Sequence, residues 1–462
     1  MKSPLETKSS KKNRKSWHIS LFFGCLLSIV LICKGQDTGE SKPNVIIILT
    51  DDQGWGDVNC YGSKDLYTPN IDRLAQEGVR FTQFYAAASV CSPSRASMLT
   101  GLNPHAAGLP GNASSSKGKE GMPSDRFTIA EMMQQSGYTT GHVGKWHLGY
   151  SPETMPNGQG FEYSFGHMGG CIDNYSHFFY WNGPNRHDLW ENGTEIWRDG
   201  QYFPDLMGEK AEAFIEKHQE DPFFLYYAIN LPHYPLQPDE KWRKHYENLE
   251  SPRREYAAFV TTIDERIGQL LSKLDELKLR ENTIIIFQSD HGYSTEERTF
   301  GGGGSAGPFR GAKFSLFEGG IRVPAMISWK GHLPENETRN QMALNIDWFS
   351  TIAELCRIKA PDNLEGKSLV PLIQDAQKVS PHTGFIWQNN GSWAIRKNEW
   401  KLIGDPMDSS HKGKLDPEKD KLFLVNLAKD STEMNNLASK YPKKVKELLT
   451  EYQKWPYAKK ED

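Results

Sequence analysis

Asn44-Val45-Ile46-Ile47-Ile48-Leu49-Thr50 runs directly into Asp51-Asp52-Gln53-Gly54. An apolar, β-branched run without polar alternation reads as a strand buried on both faces. The pattern recurs along the chain. Val79–Tyr85 is a second run, Thr139–Val143 ends at Gly144-Lys145-Trp146-His147, and Phe223–Ile229 ends at Leu231-Pro232-His233. Thr283–Gln288 ends at Ser289-Asp290-His291-Gly292, and Val323–Ser328 is one more. Helical stretches lie between them. Thr68 caps one, with Pro69 in its first turn and Gly78 as its stop. Others start at Cys91, cover Thr128–Gln135, and run amphipathically over Arg253–Leu279. Strands alternating with helices predict an α/β fold, a large, mainly parallel sheet covered by helices on both faces. In such sheets the chemistry lies just beyond the strand C-termini.

Three regions break the rhythm. Residues 149–205 are aromatic and rich in His, Gly and Asn without a clear period, and 296–310 contains Gly301–Gly304 and reads as a mobile loop. Beyond Pro361 the pattern changes to antiparallel strands over Trp393–Arg396, Trp400–Ile403 and Leu422–Val425, then a helix over Pro442–Gln453. The expected organisation is a signal peptide over residues 1–35, a catalytic domain over 36–360 and a smaller C-terminal α+β subdomain over 361–462. Lys11, Lys12, Arg14 and Lys15 precede an apolar run from Leu21 to Cys33, too short to span a bilayer comfortably. Cleavage near Gln36 implies a secreted or periplasmic protein.

Composition narrows the function classes. A net charge of −4 over 462 residues offers no global field for nucleic acid or an anionic membrane. Thirteen Trp and 41 Gly suit sugar ligands, although core Trp accounts for most of them. Removing Cys25 and Cys33 with the signal leaves Cys60, Cys91, Cys171 and Cys356, too few for a disulfide-built scaffold. Sequons occur at Asn112, Asn174, Asn192, Asn336 and Asn390.

Five clusters carry chemistry. Asp51-Asp52 at one strand end and Asp290-His291 at another combine into a hard, oxygen-rich site suited to Ca²⁺. Cys91-Ser92-Pro93-Ser94-Arg95 opens a helix, where free N–H groups favour an anion; Arg95 one turn in fits a core poorly. A thiolate nucleophile is the chemical alternative at Cys91. Lys145 and His147 flank Trp146 and share a face on an extended segment. His233 lies in a proline-bounded turn that suits a placed acid. Lys313 follows Gly311-Ala312 and precedes the run Glu318-Gly319-Gly320-Ile321-Arg322-Val323-Pro324.

Together these motifs resemble those of the type I, formylglycine-dependent sulfatases of the alkaline phosphatase superfamily, from about Asn44 to the C-terminus. The resemblance implies an alkaline phosphatase-like fold. It implies one Ca²⁺ held by Asp51, Asp52, Asp290, His291 and residue 91, with His291 standing where many relatives have Asn. It implies that Cys91 is oxidised to 3-oxoalanine (Cα-formylglycine) by a formylglycine-generating or anaerobic sulfatase-maturating enzyme. Arg95 then holds the hydrated aldehyde, Lys145 bridges it to the sulfate, and His147 takes a proton from its second hydroxyl. His233 donates to the leaving oxygen, and Lys313 binds a sulfate oxygen. The implied activity is hydrolysis of a sulfate monoester on a carbohydrate through a covalent sulfo-enzyme. Asn174, His177 and Arg310 are expected to line the sugar pocket, a structural loop being nearly as good a reading of each. Two other readings stay open: a phosphonate monoester or phosphodiester hydrolase with the same motif, and a non-catalytic binder of sulfated glycans with Cys91 unmodified.

Overall fold

A computed structural model of the chain describes residues 42–181 and 185–459. The expected signal peptide, with Cys25, Cys33 and the cleavage point near Gln36, lies outside them. The described strands are β1 (Asn44–Thr50), β2 (Gly78–Tyr85), β3 (Thr139–Lys145), β4 (Tyr163–His167), β5 (Phe178–Phe179), β6 (Arg186–His187), β7 (Trp190–Glu191) and β8 (Thr194–Glu195). They continue with β9 (Phe223–Ala228), β10 (Thr283–Ser289), β11 (Ala325–Ser328), β12 (Glu337–Leu344), β13 (Gly384–Asn389), β14 (Ser392–Lys397), β15 (Trp400–Gly404) and β16 (Leu422–Asn426). Ten strands form one sheet in the order β12-β2-β11-β10-β1-β9-β3-β4-β7-β8. Its centre, β10-β1-β9-β3-β4, is parallel throughout.

The apolar run of β1 explains its central place. Val45, Ile47 and Leu49 face one apolar layer and Ile46 and Ile48 the other, all with no exposed surface. Each such side chain contributes about 1.5–3 kcal/mol on leaving water. One layer is covered by the helices Cys91–Thr100, Ile129–Gln135 and Asp347–Leu355, through Met98, Met132 and Ile352 among others. The opposite layer is covered by Pro69–Gln76, Phe203–Lys217 and Arg253–Glu276, through Leu74, Phe214 and Ile267.

Several details differ from the sequence expectation. Thr68 makes no side-chain cap; its hydroxyl instead donates to Asn59 Oδ1. Gly78 opens β2 rather than merely ending the helix before it. The strand expected from Val323 starts at Ala325 and runs antiparallel between β10 and β2. Strand β12, with Glu, Thr, Arg, Asn and Gln in sequence, gave no strand signal, yet it pairs in parallel with β2. Its Arg339 is buried because Nε donates to the Leu372 carbonyl at 2.7 Å and Nη2 to that of Ile373 at 2.5 Å. The 296–310 loop is pinned: Arg253 donates to the Gly303 carbonyl, and the Ser305 amide donates to Asp57.

The C-terminal strands form the antiparallel sheet β13-β14-β15-β16, one strand more than the sequence indicated. The helix Pro442–Gln453 covers one face, where Tyr452 stacks on Trp393 at 4.0 Å. Trp387, Ile403 and Phe423 on the other face share a core with Tyr85, Phe317 and Leu344. Leu369, Leu372 and Ile373 lie beyond the expected boundary at 361, yet belong to the same core as β1. The described cysteines are all unpaired. No described helix is long and apolar enough to cross a membrane.

Candidate active site

The C-terminal ends of four adjacent parallel strands deliver the site. β1 ends at Asp51-Asp52, β10 at Asp290-His291, and β3 leads through Lys145 to His147. β9 leads to His233, between the cis bonds Leu231–Pro232 and Tyr234–Pro235. Asp52 and His147 adopt positive φ of 63° and 56°, a sparsely populated conformation concentrated at functional sites.

The helix Cys91–Thr100 enters this group end-on, and its first turn ties the strand ends together. Ser92 Oγ donates to the His147 carbonyl and Ser94 Oγ to that of Asp290. Arg95 donates through Nε and Nη2 to Asp290 Oδ2 at 3.1 and 2.9 Å, and through Nη1 to the Lys145 carbonyl at 3.1 Å. The serines and the arginine after Cys91 therefore fix where its sulfur stands.

Sγ of Cys91 lies 3.4 Å from Lys145 Nζ, 3.3 Å from His291 Nε2 and 3.7 Å from Asp51 Oδ1. Lys145 also donates to Asp51 Oδ2 at 2.7 Å, and Lys313 to Asp52 Oδ2 at 2.9 Å. His291 Nε2 is 3.4 Å from Asp52 Oδ1 and 3.6 Å from Asp290 Oδ1. Every one of these side chains is buried.

Burial and charge set the protonation states. Burial raises Asp51 to about 7 and Asp52 to about 6, with Lys145 and Lys313 respectively opposing it most. Asp290 is held well below the usual carboxylate range, because His291, Arg95 and Lys145 outweigh its burial. Burial works against a charged His291, yet Asp290 and the Cys91 sulfur lift it to about 9. Cys91 is raised by burial but drawn down to about 7 by Lys145, Lys313 and His291. His147 and His233 fall well below the imidazole range through burial and the neighbouring lysines.

These residues fit a hard divalent cation. Ligand atoms of Asp51, Cys91, Asp290 and His291 lie within 4.8 Å of one another, as do those of Asp51, Asp52, Cys91 and His233. Asp52 Oδ1 is buried without a hydrogen-bond partner. Three carboxylates converge here, and two are driven toward protonation by their own burial. A cation among them keeps them ionised and relieves that cost.

Cys91 forms the floor of a cavity of about 300 Å³. His147, His233 and Lys313 line it, as do Asn112, Ser115, Cys171, Phe179, Trp181, Tyr234, Glu296 and Arg298. The structure thus assembles ten expected residues: Asp51, Asp52, Cys91, Arg95, Lys145, His147, His233, Asp290, His291 and Lys313. It does not bring Asn174, His177 or Arg310 to the cavity. Asn174 is buried between Gln237 and Asn230, accepting from Asn230 at 3.0 Å. His177 is buried beside Phe203, with Nε2 3.1 Å from the Gln201 carbonyl. Arg310 is spent on Asp408 at 2.8 Å and on the Glu433 carbonyl at 3.1 Å. Pairing of a buried charge accounts for Arg310 and satisfaction of a buried amide for Asn174, while His177 turns one ring nitrogen to the Gln201 carbonyl, away from the cavity.

Glu296 and Arg298 went unnoticed in the glycine-rich loop. Glu296 lies 3.2 Å from Lys313 and 3.2 Å from Arg298. Arg298 also donates to the Tyr234 hydroxyl and packs against Trp181. Their charges, one residue apart either side of Glu297, were the available signal. A larger open cleft of about 840 Å³, around Asp205, Asp264 and Arg266, holds none of the ten residues.

Comparison with known proteins agrees with this geometry. Residues 43–358 match the family described as Sulfatase, and 311–454 match N-sulphoglucosamine sulphohydrolase, C-terminal. An N-acetylgalactosamine-6-O-sulfatase of Bacteroides thetaiotaomicron is 31% identical, over 93% of this chain and 96% of its own. Arylsulfatase G of Canis lupus familiaris is 35% identical, over 80% and 72%. The crystal structure of Ps i-CgsB superposes with a TM-score of 0.80 at 30% identity, covering 91% of this chain and 94% of that one. With the motifs gathered at the strand ends and both halves matched, the chain belongs to the sulfatase family, the sulfuric ester hydrolases with an alkaline phosphatase-like fold.

Proposed function

We propose that this protein hydrolyses sulfate monoesters on carbohydrate, outside the cytoplasm, with Cys91 matured to Cα-formylglycine and one Ca²⁺ bound by Asp51, Asp52, Asp290 and His291. The observation that carries this reading is the position of Cys91. Its sulfur stands at a helix N-terminus, within 3.7 Å of Lys145, His291 and Asp51, at the floor of an open cavity. When present, the matured side chain supplies an oxygen nucleophile and the ion a fixed positive charge.

The remaining work falls to the chain's own residues. A sulfate ester is anionic and repels an oxygen nucleophile; Lys145 and Lys313 offset that repulsion and stabilise charge as it develops. Arg95, held by Asp290 and the Lys145 carbonyl, fixes residue 91 and balances its charge. Burial and then the Lys145 charge hold His147 neutral, so its ring offers a lone pair, and an anionic group beside Lys145 offsets the charge that opposes its protonation. Its imidazole lies against Gly170, where a Cβ would stand 2.9 Å from Cε1. His233 keeps Nδ1 on the Tyr234 carbonyl at 2.9 Å, leaving Nε2 for the leaving oxygen. After burial, Lys313 and Lys145 contribute most to its low pKa. An anionic group between them screens both and lets Nε2 take up the proton it must donate.

Carbohydrate is the class named by the relatives: an N-acetylgalactosamine sulfate ester in one, and k-i-k-neocarrahexaose bound to Ps i-CgsB. Trp181, Tyr234 and Phe179 give the cavity aromatic surfaces for sugar rings. The test is desulfation of defined galactose, N-acetylgalactosamine, glucosamine, uronic acid and rhamnose sulfates, beside phosphonate and phosphodiester esters. Mass spectrometry of the Cys91 peptide accompanies it. Turnover of a sugar sulfate with an aldehyde at residue 91 is expected; preference for the phosphorus esters, or glycan binding with a plain thiol and no turnover, overturns the reading.

A further inference from the structure

We propose that His177, His187 and Asp199 form a second metal site, suited to Zn²⁺ or a related first-row ion, that fastens the segment carrying one wall of the cavity. None of the three lines the Cys91 cavity, so the proposal stands apart from the hydrolytic reading.

Hydrogen bonding fixes both tautomers. Nε2 of His177 faces the Gln201 carbonyl at 3.1 Å, and Nδ1 of His187 faces Glu195 Oε1 at 3.2 Å. Carbonyl and carboxylate oxygens only accept, so these nitrogens carry the hydrogens. The remaining nitrogens, Nδ1 of His177 and Nε2 of His187, are then lone pairs. Both are buried without a hydrogen-bond partner, on residues 0% and 3% exposed. A nitrogen of each ring and a carboxylate oxygen of Asp199 lie within 4.8 Å of one another. Two orphaned lone pairs on the buried rings of this cluster are costly without a partner, and a cation is the partner that also suits the carboxylate. A histidine whose far nitrogen donates to a carboxylate or backbone carbonyl is the usual support of a metal ligand. Two imidazoles with one carboxylate select a zinc-type ion over Ca²⁺ and leave a fourth position for water.

The location gives the ion a purpose. Among the described residues of 169–202, the strands are the two-residue β5 to β8, which supply little stability of their own. His177 directly precedes β5, His187 ends β6, and Asp199 lies beyond β8. Phe179 of β5 and the nearby Trp181 line the cavity, and Arg186 of β6 donates to the Ser115 carbonyl. An ion here cross-links three stretches that would otherwise be held by short ladders.

The test uses the full chain, stripped with chelator, saturated with Ca²⁺ and then titrated with Zn²⁺ alone. Crystals soaked in Zn²⁺ are read by anomalous scattering at the zinc edge. The expected result is a peak between His177, His187 and Asp199, with Zn²⁺ affinity falling about tenfold or more in Asp199→Asn and in His187→Gln. Asp199 is exposed, so its replacement leaves folding intact and decides the matter even if His187→Gln does not fold. A zinc peak only among Asp51, Asp52 and Asp290, or unchanged affinity in Asp199→Asn, overturns the proposal.

Discussion

Lys145 touches both Asp51 and the Cys91 sulfur without any exposed surface. Replacing it with Ala is expected to lower kcat about 10²- to 10³-fold, the scale of losing one oriented charge in an anion-stabilising site. Steady-state kinetics on the best sugar sulfate check this. Gly170→Ala puts a methyl 2.9 Å from the His147 ring and is expected to lower kcat while leaving far-UV circular dichroism unchanged. Metal binding is expected to depend on pH in a fixed direction. Asp51 at about 7, Asp52 at about 6 and His291 at about 9 hold protons that a cation must displace. Affinity for the divalent ion should therefore rise from pH 5 to 9 and level off above, with protons released on binding. Calorimetry in buffers of differing ionisation enthalpy reads both. The ten residues gathered at the head of the sheet were legible because each belongs to a short motif, most of them directly after a readable strand or at a helix start. Asn174, His177 and Arg310 were not, because a polar residue in an aperiodic segment looks the same in sequence whether it faces a ligand or a buried carbonyl.

At the scale of elements, the helix Cys91–Thr100 is held by its first turn. Ser94 Oγ satisfies the Asp290 carbonyl, and Asn345 donates to the Ser94 carbonyl at 3.0 Å. Ser94→Ala leaves that buried acceptor unpaired and is expected to cost about 1–3 kcal/mol, measured by urea unfolding. Strands β1, β9 and β10 could be read directly, since burial on both faces writes an unbroken apolar run. Strand β12 could not: Arg339 is buried by pairing with the carbonyls of Leu372 and Ile373, residues far along the chain. The antiparallel sense of β11 is likewise set by partners that no local pattern names.

Across the whole molecule, Lys401 of β15 is tied to the large sheet through Glu318, which accepts from the Tyr85 hydroxyl at the end of β2. It has no exposed surface and lies 3.0 Å from both Glu318 and Glu433. Lys401→Met leaves the buried Glu433 without its cation and Glu318 with only Arg322 and the Tyr85 hydroxyl, and is expected to cost about 3–5 kcal/mol, seen as a lowered midpoint of thermal unfolding. Adding Glu318→Gln and Glu433→Gln should recover part of that loss. The change in pattern after Pro361 was visible in sequence; the shared core through Leu369, Leu372 and Ile373 was not, because those residues read equally well as a linker's few apolar contacts.

The 2% exposure of Cys91 bears on when the proposed maturation can occur. Its neighbours Ser92, Ser94 and Arg95 are engaged with the ends of β3 and β10 once folding is complete. For the maturation proposed above, oxidation of so enclosed a thiol belongs to the interval before the sheet closes, and the yield of active enzyme then follows a race between the oxidising partner and the collapse of the nascent polypeptide.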